Sequence, residues 1–167
     1  VSRFTHDQSL YRPTARQCPD LCRAEKLLIR GLRRWLRGGP DWERAKRDAT
    51  RALKPAQAMV FVNGLMGLAD AIDTHARRRL RLRLPQCERV SSDERALLAM
   101  IGALQHDRFD HAHAVLAYLV RPAGRNPAMA HALTIARTLG KGGLPLAAPR
   151  AVQPPARCRK PDLRAVA

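Results

Sequence analysis

Cys18 and Cys22 stand one helical turn apart, and Glu25 continues the same side at the next turn. If Cys87 folds beside them, three thiolates and a carboxylate could hold zinc or an iron–sulfur centre, so a metal- or thiol-dependent sensor is one function the sequence allows. The C-x3-C spacing is less diagnostic than paired C-x2-C motifs, and the same residues suit small, half-buried positions at a core edge. Cys18 also precedes Pro19, a residue suited to the first position of a helix. A thiol at such a cap feels the helix dipole, which favours the reactive thiolate.

A second group crowds the segment QHDRFDHAH, where His106, Asp107, Asp110, His111 and His113 fall between two helical patterns. Metal binding or proton transfer is conceivable there, but the H-E-x-x-H spacing of a zinc hydrolase is missing. A polar turn with Asp107 capping the following helix accounts for the same residues. Asn63, Asp70, Asp73 and His75 lie on a mostly apolar helix and need partners if that helix is buried. Asp73 has Arg77 one turn further on as a candidate. The sequence contains no Gly-rich phosphate loop, no G-x-S-x-G and no dinucleotide fingerprint, so the expected function is binding rather than catalysis.

The third group is cationic. Arg23, Lys26, Arg30, Arg33 and Arg37 recur at helical spacing on the face opposite the apolar stripe Leu21, Ala24, Leu28, Leu32 and Trp35. A further cluster, Arg77, Arg78, Arg79, Arg81 and Arg83, follows in RRRLRLR. Together these ten side chains could line up phosphates or an acidic protein surface. A solvated helix face and a solvated loop explain them equally simply. Few aromatic residues interleave with the cations and no helix-turn-helix pattern stands out, so nucleic acid would be contacted without sequence specificity.

These residues require elements to position them. The first helix is expected from about Pro19 to Arg37, ended by Gly38-Gly39-Pro40. A second runs from about Asp41 to Leu53, with Trp42, Ala45, Ala49 and Leu53 inward. A third starts at Pro55 and reaches about Arg79. AQAMVFVNGLMGLADAI within it is apolar nearly all round, so it is expected to be central, with Val62, Leu65, Leu68, Ala69 and Ile72 deeply buried. Gly64 and Gly67 should let another helix approach closely. Residues 77–85 alternate like a strand, yet no second strand is evident, so they read as a helix end running into extended chain. Ser91 and Glu94 form a capping box for a fourth helix to about Gln105. A fifth spans about Arg108 to Val120, and Asn126-Pro127 caps a sixth that ends near Gly140.

The expected fold is therefore all-α, a single compact bundle of about six helices. Its organisation is a flexible lead over 1–17, a helical domain over 18–140, and a disordered Pro/Gly/Arg-rich tail over 141–167. No fixed-period repeat is present. The 167 residues carry 46% hydrophobic but only 4% aromatic side chains, so Leu, Ala, Val, Ile and Met must build the core.

The chain carries 31 basic and 14 acidic residues, a net charge of +17. Arg accounts for most of the base, as a GC-rich, bacterial-type coding sequence would supply, but the excess over acid has no such origin. Residues 1–91 carry a net +11, whereas 92–140 carry +1. A basic binding or adaptor protein acting through its first half is the leading expectation. No apolar run reaches transmembrane length, and the opening residues lack the apolar core of a signal peptide, so a cytoplasmic setting with unpaired cysteines is expected.

Overall fold

The computed structural model describes residues 4–6 and 20–147. Within them the elements run β1 (Phe4–His6), α1 (Arg23–Arg37), α2 (Gly39–Ala52), α3 (Pro55–His75), β2 (Leu80–Leu82), α4 (Ser92–Gln105), α5 (Phe109–Leu119) and α6 (Pro122–Lys141). The six helices form the expected all-α bundle around one hydrophobic core. None is long and apolar enough to cross a membrane.

The α1–α2 turn is made by Gly38 and Gly39, whose φ angles of 65° and 47° lie in the left-handed region that glycine adopts without a Cβ clash. Pro40 then falls in the first turn of α2, where its missing N–H costs nothing. α1 itself begins one turn later than the Pro19 signal implied. Cys22 is its N-cap, with Sγ accepting from the Glu25 N–H at 3.5 Å while Glu25 accepts the Cys22 N–H at 2.9 Å. This is a capping box with a thiol in place of the usual hydroxyl, and the spacing Cys22-x-x-Glu25 announces it.

The most extensive helix contact joins α3 and α6. Gly64 and Gly67 make it possible, as their spacing predicted: a Cβ on Gly64 would lie 3.1 Å from Ile135, and one on Gly67 would run into the His131 ring. At the other end, a Cβ on Gly124 would collide with the His75 Cβ. Leu65, Leu68, Ala69 and Ile72 are fully buried as expected, but Val62 is only partly covered. α3 is also not surrounded. Met59 (66% exposed), Val60 (45%) and Met66 (41%) share a solvent face with Asn63 and Asp70, so those two polar groups are met by water rather than by buried partners.

Besides the start of α1, the end of α3 departs from the sequence reading, at His75 rather than Arg79, and so do three further stretches. Residues 80–82 are a strand, paired in parallel with β1 in the register Phe4↔Leu80, Thr5↔Arg81 and His6↔Leu82. The missing partner lay in the lead expected to be flexible. Phe4 is buried and meets Trp35 edge to face with ring centroids 5.5 Å apart. α6 begins at Pro122, not at Asn126, and Pro127 sits inside it. The N–H that Pro127 lacks would have bonded Ala123, and both residues are exposed, on the side of the helix where a missing bond costs least. Finally, Leu144 and Leu146 are buried: Gln105 donates to Leu144 O at 3.3 Å and accepts the Leu146 N–H at 2.7 Å. The first part of the expected tail is thus core, while residues 148–167 lie outside the described residues.

The two ends of α6 should answer a Gly→Ala change with opposite signs. Gly140 has open space around it, so G140A should raise stability by about 0.5–1 kcal/mol through helix propensity. G124A gains the same propensity but drives a methyl into the His75 Cβ, and overpacking typically costs about 1–3 kcal/mol or more. Urea unfolding of both variants should show a net loss for G124A and a gain for G140A.

Candidate polyanion-binding groove

The residue that organises the site is one that the helical wheel placed on the surface. Arg33 was expected among the solvent-facing cations of α1, but its side chain and that of Glu94 are both 0% exposed. The guanidinium forms a two-pronged pair with the carboxylate, Nε to Oε1 at 2.7 Å and Nη2 to Oε2 at 2.9 Å. Its remaining donors go to backbone carbonyls: Nη1 to Leu84 at 3.2 Å and Cys87 at 2.7 Å, Nη2 to Arg89 at 2.6 Å. All five N–H groups are used, so a buried cation is left with no unsatisfied donor. Glu94 also accepts the Arg83 and Ser91 N–H groups at 2.9 and 2.8 Å. A phosphate-contacting role for Arg33 is therefore ruled out by burial.

The neighbouring residue, Asp93, performs the same task one step toward the surface. It holds Arg78 through two bonds of 2.9 and 2.6 Å and accepts the Arg81 N–H at 2.8 Å. Ser91 Oγ donates to Arg81 O at 2.5 Å. The SSDE segment at the start of α4 thus caps its own helix and grips β2 from one side. Arg78 also lies 5.3 Å from the Tyr118 ring centre and bonds its hydroxyl at 3.2 Å. Burial by itself would raise the Asp93 carboxyl. The hydrogen bonds from Arg78 and from the Arg81 N–H, with the attraction of both charges, outweigh it and hold the carboxyl below its ordinary value of 3.8. Arg78 is correspondingly held protonated, chiefly by its hydrogen bond to Asp93.

With Arg33 turned inward, the remaining α1 cations line a groove. Lys26, Arg30, Arg34 and Arg37 form one wall, Asp41 and Arg44 of α2 another, and the loop Pro85–Glu88 closes the side; the volume is about 600 Å³. A second hollow of about 390 Å³ continues it, sharing Lys26 and Arg30 and adding Arg23, Arg51 and Asp48. Seven cations and three carboxylates therefore line these two adjoining hollows. The carboxylates orient part of this set. Asp48 pairs with Arg34, and Asp41 takes Arg37 at 2.6 Å and Arg44 at 3.3 Å. Arg30, at the junction of the two hollows, is exposed and makes no hydrogen bond or ion pair with the described residues.

The expected site thus splits. Arg23, Lys26, Arg30 and Arg37 converge on the groove, joined by Arg34, Arg44 and Arg51, which the sequence reading did not include. Arg34 continues the α1 row one turn beyond Arg30, while Arg44 and Arg51 stand two turns apart on α2. None of Arg77, Arg78, Arg79, Arg81 or Arg83 lines it. Arg77 Nε bonds Val120 O at 3.2 Å and Arg78 is tied to Asp93, while Arg79 and Arg81 remain exposed elsewhere.

The residues of the metal reading are placed as follows. Cys22 and Glu25 cap α1, and Cys22 Sγ also bonds Pro145 O at 3.5 Å. Cys87 sits on the groove wall with its carbonyl held by Arg33. Cys18 lies outside the described residues, among which no three His, Cys, Asp or Glu side chains gather as a metal site. That holds for the His106–His113 segment too. His106 ends α4, with Nε2 3.4 Å from Leu146 O. Asp107 has φ 55° and does not cap α5, whose N-cap is Arg108. Comparison with known protein families, with curated protein sequences and with solved structures finds no match to this chain.

Two stability measurements test this framework. Arg33→Met keeps the bulk but leaves Glu94 buried without its cation, and breaking a buried pair from one side should cost about 3–5 kcal/mol. A loss within a few tenths would show that the loop holds without it. Asp93 has its folded pKa depressed, so its contribution is complete above about 3.8 and fades as pH falls through the lower folded value. Urea titrations stepped from neutral pH into that acid range should show a steeper loss for the wild type than for Asp93→Asn. Parallel curves would dismiss the Arg78 pair as a stabiliser.

Proposed function

We propose that this protein is a non-enzymatic binding or adaptor protein that holds nucleic acid along the basic groove between α1 and α2, by charge and without reading base sequence. The observation that carries this reading is the gathering of seven cations from two helices around two adjoining hollows, against three carboxylates. A solvated helix face scatters its charges outward. Here α2 and the loop 85–88 turn the α1 row into a concavity, where like charges focus a field toward a bound anion. The Asp41 and Asp48 pairs hold long Arg side chains in place, which lowers the entropy lost when a phosphate is gripped.

Binding carried by phosphate contacts should weaken linearly in log–log plots against salt, by about 0.7–0.9 per phosphate neutralised. The triple variant Arg23→Glu, Arg30→Glu, Arg37→Glu alters exposed groove residues only. It should fold normally by circular dichroism, bind mixed-sequence DNA and RNA at least tenfold more weakly at about 50 mM salt, and lose about 2–3 from the salt slope. Arg79→Glu with Arg81→Glu, which lie off the groove, should change affinity much less. Absence of wild-type binding to either nucleic acid at about 50 mM salt would retire it as the ligand and leave an acidic protein surface as the partner.

A further inference from the structure

Resting on that reading, we infer that the groove takes one extended single strand of nucleic acid, gripped by its phosphates alone, and excludes the duplex. The first reason is shape. Lys26 to Arg37 span eleven residue steps of α1, about 16 Å at 1.5 Å per residue. The hollow is a recess of about 600 Å³ along that length, bounded by α2 and the loop 85–88. One phosphate-bearing backbone fits such a recess. A duplex carries its phosphates on a stiff rod whose major groove alone is about 12 Å wide, so it cannot follow them into the recess beside α1. α2 flanks it on one side and the loop 85–88 on the other.

The second reason is the spacing of the cations. Lys26, Arg30, Arg34 and Arg37 follow at intervals of three or four residues, about one per helical turn, so successive charges advance about 5–6 Å along the trough. That step suits successive phosphates on a strand drawn out along the helix. The third is what the lining lacks. No aromatic side chain lines either hollow, so no base finds a stacking platform. Gln86 is the one uncharged amide in the lining. Bases must therefore point away from the trough, and their identity should not matter.

The channel is also built before any ligand arrives. Its loop wall is held by Arg33 through the carbonyls of Leu84, Cys87 and Arg89. The wall cannot swing out to admit a wider ligand without breaking bonds to a buried cation, so the width acts as a filter.

Fluorescence anisotropy on the full chain at about 50 mM salt tests this with four probes of about 20 nucleotides: oligo-dT, oligo-dA, an abasic deoxyribose-phosphate strand and a mixed-sequence duplex. The three single strands should agree within tenfold, the duplex should bind at least tenfold more weakly, and Arg30→Glu should weaken all three single strands. A duplex bound within tenfold of the single strands would overturn the filter while leaving the basic groove as a nucleic-acid site. An abasic strand weaker by tenfold or more would overturn grip by phosphates alone. Inorganic polyphosphate of matched charge displacing oligo-dT at a lower concentration than oligo-dA does would overturn nucleic acid as the ligand. Failure of every probe to bind would remove the nucleic-acid reading itself.

Discussion

A charge taken out of water loses its hydration, several kcal/mol even after the surroundings relax, and is tolerated only where protein groups replace it. Arg33 and Glu94 are both completely buried, and the protein supplies that replacement in full. Five donors on one side meet a carboxylate and three carbonyls; two carboxylate oxygens on the other meet the fork and two backbone N–H groups. The partners are 61 residues apart, so the pair fixes α1 against α4. Because the remaining bonds go to the main chain of 83–91, the same pair also fixes the irregular segment between β2 and α4. An apolar contact could join two helices, but it could not donate to the carbonyls of Leu84, Cys87 and Arg89 as Arg33 does.

The groove follows from this constraint. Besides Leu27 and Gly31, α1 buries two longer rows. Ala24, Leu28 and Leu32 make one, and Glu25, Ile29 and Arg33 make the other, which Arg33 ties to the loop and to α4. What remains outward is a narrow strip of cations, bounded by the loop that Arg33 holds and by α2 after the Gly38-Gly39 reversal. The arginines of this protein thus do two different jobs. Arg33 and Arg78 are consumed by the paired acids Glu94 and Asp93 in building the frame. Arg23, Arg30 and Arg37 stay on the solvent side, where exposed pairs such as Arg37–Asp41 add little to stability and leave the charge available.

The opposite side of the bundle is organised by the absence of side chains rather than by charge. Glycines at 64, 67 and 124 let α3 and α6 approach until ring and methylene groups touch backbone. With aromatic residues scarce, close approach of this kind raises the number of dispersion contacts that Leu, Ile and Ala can make.

The sequence by itself determined the helices: their number, most of their ends, the Ser91–Glu94 capping box, the Gly38-Gly39 break, and the apolar stripes of α1 and α2. Each is a local property, set by residues three or four positions apart and by backbone freedom at single sites. The helical face that carries the groove was legible for the same reason. Tertiary structure alone decided which of its cations point outward. Arg33 lies one turn beyond Ile29, and Glu94, from a remote helix, makes that row a buried one while Arg30 stays in water. The alternation over 80–82 looked like a strand without a partner because the partner, Phe4–His6, is remote in sequence and three residues long. Pro127 stayed inside α6 on its exposed side, and Leu144 and Leu146 joined the core because Gln105 gives their backbone hydrogen bonds. In each case the deciding group comes from outside the segment's own pattern, and no periodicity within one segment encodes which group that will be.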